Sequence, residues 1–143
     1  MNTSRSFKKL LGTSAAAIIA LAAYSNVAFG DEIKVMLSGD KEVPAVKTAA
    51  QGSGTVTVNA DMSVSGSITT TGVAATMAHI HQGAAGANGP VVIPLTKNGD
   101  NGWTVPATAK LTEAQYAAYK AGDLYINVHS AEHKSGEIRG QLK

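Results

Sequence analysis

Leu124-Tyr125-Ile126-Asn127-Val128-His129 alternates apolar and polar residues without a break. On a strand, successive side chains point to opposite faces. Leu124, Ile126 and Val128 therefore claim a core face, and Tyr125, Asn127 and His129 take the other. The same period recurs along the chain. Gly52–Asn59 alternates Thr with Val, Asp61-Met62-Ser63 is a tight connection, and Val64–Thr71 continues as a second strand, so the two read as a hairpin. Ile33–Leu37 is a weaker first strand, followed by the turn-rich link Ser38–Pro44. Met77–His81 and Val91–Leu95 read as strands, with Pro94 marking an edge or a bulge, and Gly136–Leu142 closes the chain. One short helix interrupts the pattern. Thr112 is its cap, Gln115 completes a capping box, Leu111 before the cap can pack on Tyr116, and Gly122 ends it in a left-handed conformation. Many short strands, Gly-rich turns and a single helix predict an all-β antiparallel sandwich or barrel.

Residues 1–30 read as a secretory signal peptide rather than as part of the fold. Arg5, Lys8 and Lys9 form a positive start, an apolar run follows to Ala23, and Val27-Ala28-Phe29-Gly30 places small residues before a cut at Asp31. The apolar run is broken by Gly12-Thr13-Ser14 and by Ser25-Asn26, short of the ~20 residues that a membrane span needs. Without a twin arginine, export is expected by the Sec route, to the periplasm or beyond, with no membrane attachment after cleavage. Domain 31–143 then carries 9 of the 12 basic residues and all 10 acidic ones, a formal charge of −1 in place of +2. The lysines are scattered, which predicts no nucleic-acid surface. With no cysteine in an exported chain, stability has to come from sheet closure, packing or a bound metal.

All four histidines fall at two predicted strand ends, His79 and His81 in one and His129 and His133 in the other. His-x-His on a strand aims two imidazoles into one patch of space. If the second segment lies alongside, a site of three or four nitrogens follows, which suits copper, zinc or nickel. Met77 shares the face of His79, and a thioether there favours Cu(I). Glu132 and Asp123 are candidates to accept hydrogen bonds from the ligating rings. The alternative is four histidines as ordinary half-polar sheet surface. Arg139 and Glu137 read as a cross-strand ion pair. Gly83-x-x-Gly86-x-x-Gly89 lacks the spacing, lysine and helix of a phosphate loop. No serine has nucleophile-elbow surroundings, and the carboxylates show no glycosidase spacing.

Glu42-Val43-Pro44, His79-Ile80-His81-Gln82-Gly83, Gly86 through Val92, Tyr125–Ser130 and Gly136–Leu142 together resemble the CHRD domain family, named for chordin and widespread in exported bacterial proteins. The resemblance covers nearly all of 32–143. It implies a Greek-key β-sandwich similar to the copper–zinc superoxide dismutase barrel, and some members are linked to copper binding or dismutase-like activity. By that likeness His79 and His81 match the His-x-His of a copper site, and His129 a later ligand. The cysteine pair and the His-rich zinc loop have no counterpart, which leaves room for a copper-only site.

Three readings of function follow. The first is a periplasmic copper-binding protein for buffering, delivery or tolerance. Its ligands would be His79, His81, His129, His133 and Met77, its metal Cu(I) or Cu(II) before zinc, and its partner a copper-handling protein. The second is a copper-only dismutase-like enzyme, which needs an open coordination position and a steering cation such as Arg139 or Lys134. The third is a metal-free structural or adhesion module.

Overall fold

The computed structural model describes residues 29–143, so the expected signal peptide lies outside the described residues except for Phe29 and Gly30. Nine strands form the described chain: β1 (Asp31–Ser38), β2 (Gln51–Val58), β3 (Val64–Thr71), β4 (Ala75–Gln82), β5 (Val91–Pro94), β6 (Thr96–Asn98), β7 (Gly102–Thr104), β8 (Leu124–Ser130) and β9 (Ile138–Gln141). A 3-10 turn, Gly39–Lys41, follows β1, and α1 (Glu113–Lys120) precedes β8. The strands join in one sheet, in the order β5-β4-β8-β9-β1-β2-β3-β7-β6. Every pair is antiparallel. β5 and β6 lie at opposite ends of that order, yet only Leu95 separates them in the chain. The two edges therefore meet in space, and the sheet is a nearly closed all-β barrel. Closure removes most of the exposed edge that an open sheet leaves to aggregation.

The alternating residues fill the interior as their period requires. Ile33, Val35 and Leu37 from β1, Val56 and Val58 from β2, Ile80 from β4, Leu124, Ile126 and Val128 from β8 and Ile138 from β9 are all buried. Ile80 pairs with Ile126, and Val128 with both Ala78 and Ile138, so the inner rows cross the barrel wall unbroken. β6 and β7 were not anticipated from the sequence. Each has three residues, too few for a period of two to register, and Trp103 of β7 is buried while all of β6 is exposed.

The helix caps itself as expected. The Gln115 amide N–H donates to Thr112 Oγ1 at 3.2 Å, and the Thr112 N–H donates to Gln115 Oε1 at 2.9 Å. Gly122 follows with φ +81°, the left-handed conformation that favours glycine. Among the described residues, no helix is long and apolar enough to cross a membrane.

The outer face of three adjacent strands carries the chemistry. β8 lies between β4 and β9. One outer row reads His81, Tyr125, Gln141 and the next His79, Asn127, Arg139, with Met77 facing His129 on the row beyond.

Candidate metal centre

Strand geometry converges three imidazoles. His79 and His81 stand two apart on β4, and His129 stands diagonally across on β8. The ligand nitrogens of the three all lie within 4.8 Å of one another. His79 Nδ1 and His129 Nε2 are 3.0 Å apart. Ligands held at 2.0–2.1 Å around a tetrahedral ion sit about 3.3 Å from each other, so this spacing is close to that of a loaded site. His81 and His129 are buried and His79 is half-buried, which leaves one side open to solvent.

Backbone carbonyls set the tautomers. A carbonyl only accepts, so His81 Nδ1–H donates to the Gly89 carbonyl at 2.9 Å and His129 Nδ1–H donates to the Lys134 carbonyl at 2.8 Å. Both rings then carry their lone pair on Nε2, the form a metal takes; that of His129 accepts a hydrogen bond from His79 Nδ1–H, which a metal would displace. His81 Nε2 is buried and has no hydrogen-bond partner. An unsatisfied buried acceptor costs about 1–3 kcal/mol, and a cation at this point removes that cost. The donor set thus fits a metal ion. Glu132 and Asp123 do not supply the acceptors that the sequence suggested. The Gly83–Pro90 loop and the turn after β8 fold back so closely that their own carbonyls take that role.

Burial holds both β4 imidazoles below the ordinary histidine value. For His79 the neighbouring His129 and His81 add to the effect. For His81 burial outweighs the Gly89 hydrogen bond, which pulls the other way. The rings are therefore neutral, and fit to ligate, across the neutral range.

Three of the five candidate ligands meet. His133 stands outside the group: it lies in the turn after β8, where its N–H donates to Ser130 Oγ and its carbonyl accepts from the N–H of Ser130 and Gly136. Its contribution is to shape the turn that carries Lys134. Met77 pairs with His129 on the same face and is 49% exposed, at the open side of the cluster.

A family model for the CHRD domain matches residues 33–142. The chain belongs to the CHRD domain family. No curated protein and no solved structure matches it. The segments that resemble the family in sequence are those that build this corner of the barrel: both β4 histidines, the loop after them, β8 and β9.

In this CHRD domain the loop after β4 is a roof, and Arg139 is its pin. The guanidinium is 1% exposed. It donates to the carbonyls of Ala84 and Ala87 at 2.9 Å each, and to Gln141 Oε1 at 2.9 and 3.2 Å. Gln141 Nε2 donates in turn to the carbonyls of Gly83 and Gly122. The Tyr125 ring stacks on His81, with centroids 5.0 Å apart and planes 6° from parallel, and Arg139 Cζ lies 3.5 Å from the Tyr125 centroid. His81 reaches Tyr125 from the strand on one side of β8 and Arg139 from the strand on the other. Gly89 closes the roof: its N–H donates to the Tyr125 hydroxyl, its carbonyl holds His81, and a Cβ there would overlap the Gln82 carbonyl. The expected Arg139–Glu137 ion pair does not form. Glu137 instead accepts from Thr48 Oγ1 at 2.7 Å, and the loop carbonyls satisfy the guanidinium fork.

Glu42 is the residue that sequence reasoning overlooked. It follows the 3-10 turn, is buried, and its Oε1 has no hydrogen-bond partner. Burial pushes its carboxyl up to about 7, although the Arg139 charge and the Asn127 amide both act to lower it. A carboxyl raised above its unfolded value contributes stability that is complete below the unfolded value and is lost as pH rises through the folded one. The loss therefore falls between the ordinary glutamate value and about 7. Glu42→Gln removes it. The variant is expected to be more stable than the parent above pH 7, by an amount on the order of 3 kcal/mol, and to lose the advantage near pH 4. Urea unfolding across that pH range checks this; a parallel pH profile for the two proteins would contradict it. Glu42 had one signal in the sequence, its place in the Glu42-Val43-Pro44 segment, and Asn127 had another, a polar residue at the centre of an otherwise core strand.

Proposed function

We propose that this CHRD domain protein is an exported copper-binding protein that serves copper buffering, delivery or tolerance. The observation that carries the reading is the convergence of His79, His81 and His129 around the partnerless His81 Nε2. Three neutral imidazoles suit copper, and among divalent first-row ions copper binds such sites most tightly. The Met77 thioether at the open side adds a soft atom that Cu(I) would use on entry or transfer. Zinc is the weaker candidate. Export by the Sec route and a copper-handling partner belong to the same proposal. Two observations weigh against the other readings. A metal-free module would bury the bare His81 nitrogen at a cost. A dismutase would draw on a steering cation; Arg139 is committed to the roof and hidden from solvent, which leaves that role to the exposed Lys134 alone.

Competition of copper and zinc against a chelator of known affinity tests the reading. One tight equivalent of copper, not displaced by equimolar zinc, is expected. Binding of zinc in preference to copper, or of neither, would refute it. The pH profile is a second check. Because His79 and His81 sit below the ordinary value, copper is expected to stay bound as pH falls through about 6.5 and to leave below it. Loss of copper centred above that value would contradict the account.

A further inference from the structure

The Asn127 amide lies at the floor of the histidine cluster, directly across from His79 and against the His81 ring. It is 3% exposed. Its Nδ2 donates to the Ser135 carbonyl at 3.3 Å and lies by the Glu42 carboxylate. Both groups crowd Gly136, where a Cβ would overlap the Glu42 carboxylate and the Asn127 amide nitrogen together; its φ of +129° is a second reason for glycine. With Nδ2 engaged on that side, Oδ1 is left without a hydrogen-bond partner, as is His81 Nε2. Two buried acceptors on neighbouring side chains are thus both orphaned. Turning the amide over would give Nδ2 to His81, but it would set Oδ1 against the Ser135 carbonyl and the Glu42 carboxylate. A cation between the rings and the amide would satisfy both orphans.

We propose that Asn127 Oδ1 is the fourth protein ligand of the His79–His81–His129 centre, and that the Ser135 carbonyl holds its amide in the ligating orientation. The inference rests on the copper-binding reading and specifies its donor set. Met77 competes for the fourth place, but its thioether is half exposed and loses little in water, whereas the amide oxygen is buried and has no other partner. A side-chain amide oxygen takes the same place as a thioether, a weak axial ligand, in blue-copper sites of two imidazoles and a thiolate. A hard oxygen in place of a thioether also moves the preference of the centre toward Cu(II).

The test is a competitive Cu(II) titration with electron paramagnetic resonance spectra of the purified protein, beside Asn127→Leu, Asn127→Asp and Met77→Leu. Asn127→Leu is expected to bind Cu(II) about 10- to 100-fold more weakly, with altered copper hyperfine splitting. Asn127→Asp should keep one equivalent, bind it more tightly, and shift the spectrum as a neutral oxygen becomes an anionic one. Met77→Leu should change Cu(II) affinity far less than Asn127→Leu, because its thioether would serve Cu(I) at the open side. Parental affinity and spectrum in both Asn127 variants would overturn the inference while leaving the copper reading intact. Should Asn127→Leu fail to fold, Asn127→Asp decides alone, and an unchanged spectrum there overturns it. A parent protein that binds no Cu(II) overturns the copper reading and this inference together.

Discussion

His129→Ala is expected to weaken copper binding by about a hundredfold or more, roughly 2.8 kcal/mol, while leaving the fold in place. His129 is the one imidazole from β8, and without it the remaining two imidazoles share a single strand. The imidazole pair on β4 still attracts copper but no longer encloses it. The His129 Nδ1 is held by the Lys134 carbonyl, so the ring is set for ligation before any metal arrives. His81→Ala should cost at least as much, because it also removes the ring stacked on Tyr125. Lys97→Ala is the control. Lys97 stands on β6, its ammonium over the Trp103 ring and outside the histidine cluster, and its loss should leave affinity unchanged. Competitive titration of the three variants checks the set. Equal affinities throughout would remove the site.

Arg139→Met carries the largest expected effect on stability. A side chain of similar length keeps part of the packing against Tyr125 but removes every hydrogen bond to the roof. The carbonyls of Ala84 and Ala87 are then left without this donor, and Gln141 loses its partner. Leaving these part-buried acceptors without their donor costs about 1–3 kcal/mol each, which for a domain of this size lowers the melting temperature by roughly 10–20 °C. Arg139→Lys should recover little, since an ammonium cannot reproduce the fork that spans two carbonyls and a side-chain amide. The loss should also reach the metal. Without Arg139 the loop that presents the Gly89 carbonyl to His81 is released, so hydrogen exchange over residues 83–89 should accelerate and copper affinity fall. Thermal melts and exchange in the variant test this. An unchanged melting temperature would show that the roof is held by other contacts.

Much of the barrel was legible because strands of seven or eight residues carry their period openly. β8, β2 and β3 announced themselves by alternation, and α1 by its capping box, because those signals are local. β6 and β7 were not legible, since three residues contain no period. The metal cluster was half legible. His-x-His on β4 is a local fact, whereas the arrival of His129 beside it depends on β8 pairing with β4 in one register. The same limit explains His133, which is near His129 in the chain but sits in a turn that carries it out of the cluster. Arg139, Glu42 and Asn127 were least legible. Their partners lie in the loop after β4, in the 3-10 turn and in the turn after β8, and no spacing rule connects segments so far apart. An ion pair between Arg139 and Glu137 was the natural expectation two residues apart. The loop carbonyls displaced it because they present several acceptors to a fork that one carboxylate could satisfy only in part.

X-ray absorption of the protein loaded with one equivalent of copper tests the central claim most directly. The account predicts a first shell of nitrogen and oxygen near 2.0 Å, with the outer-shell scattering of three imidazole rings, falling to two rings in His129→Ala. A spectrum with no more than one imidazole, or copper lost from the protein before it can be recorded, would contradict it.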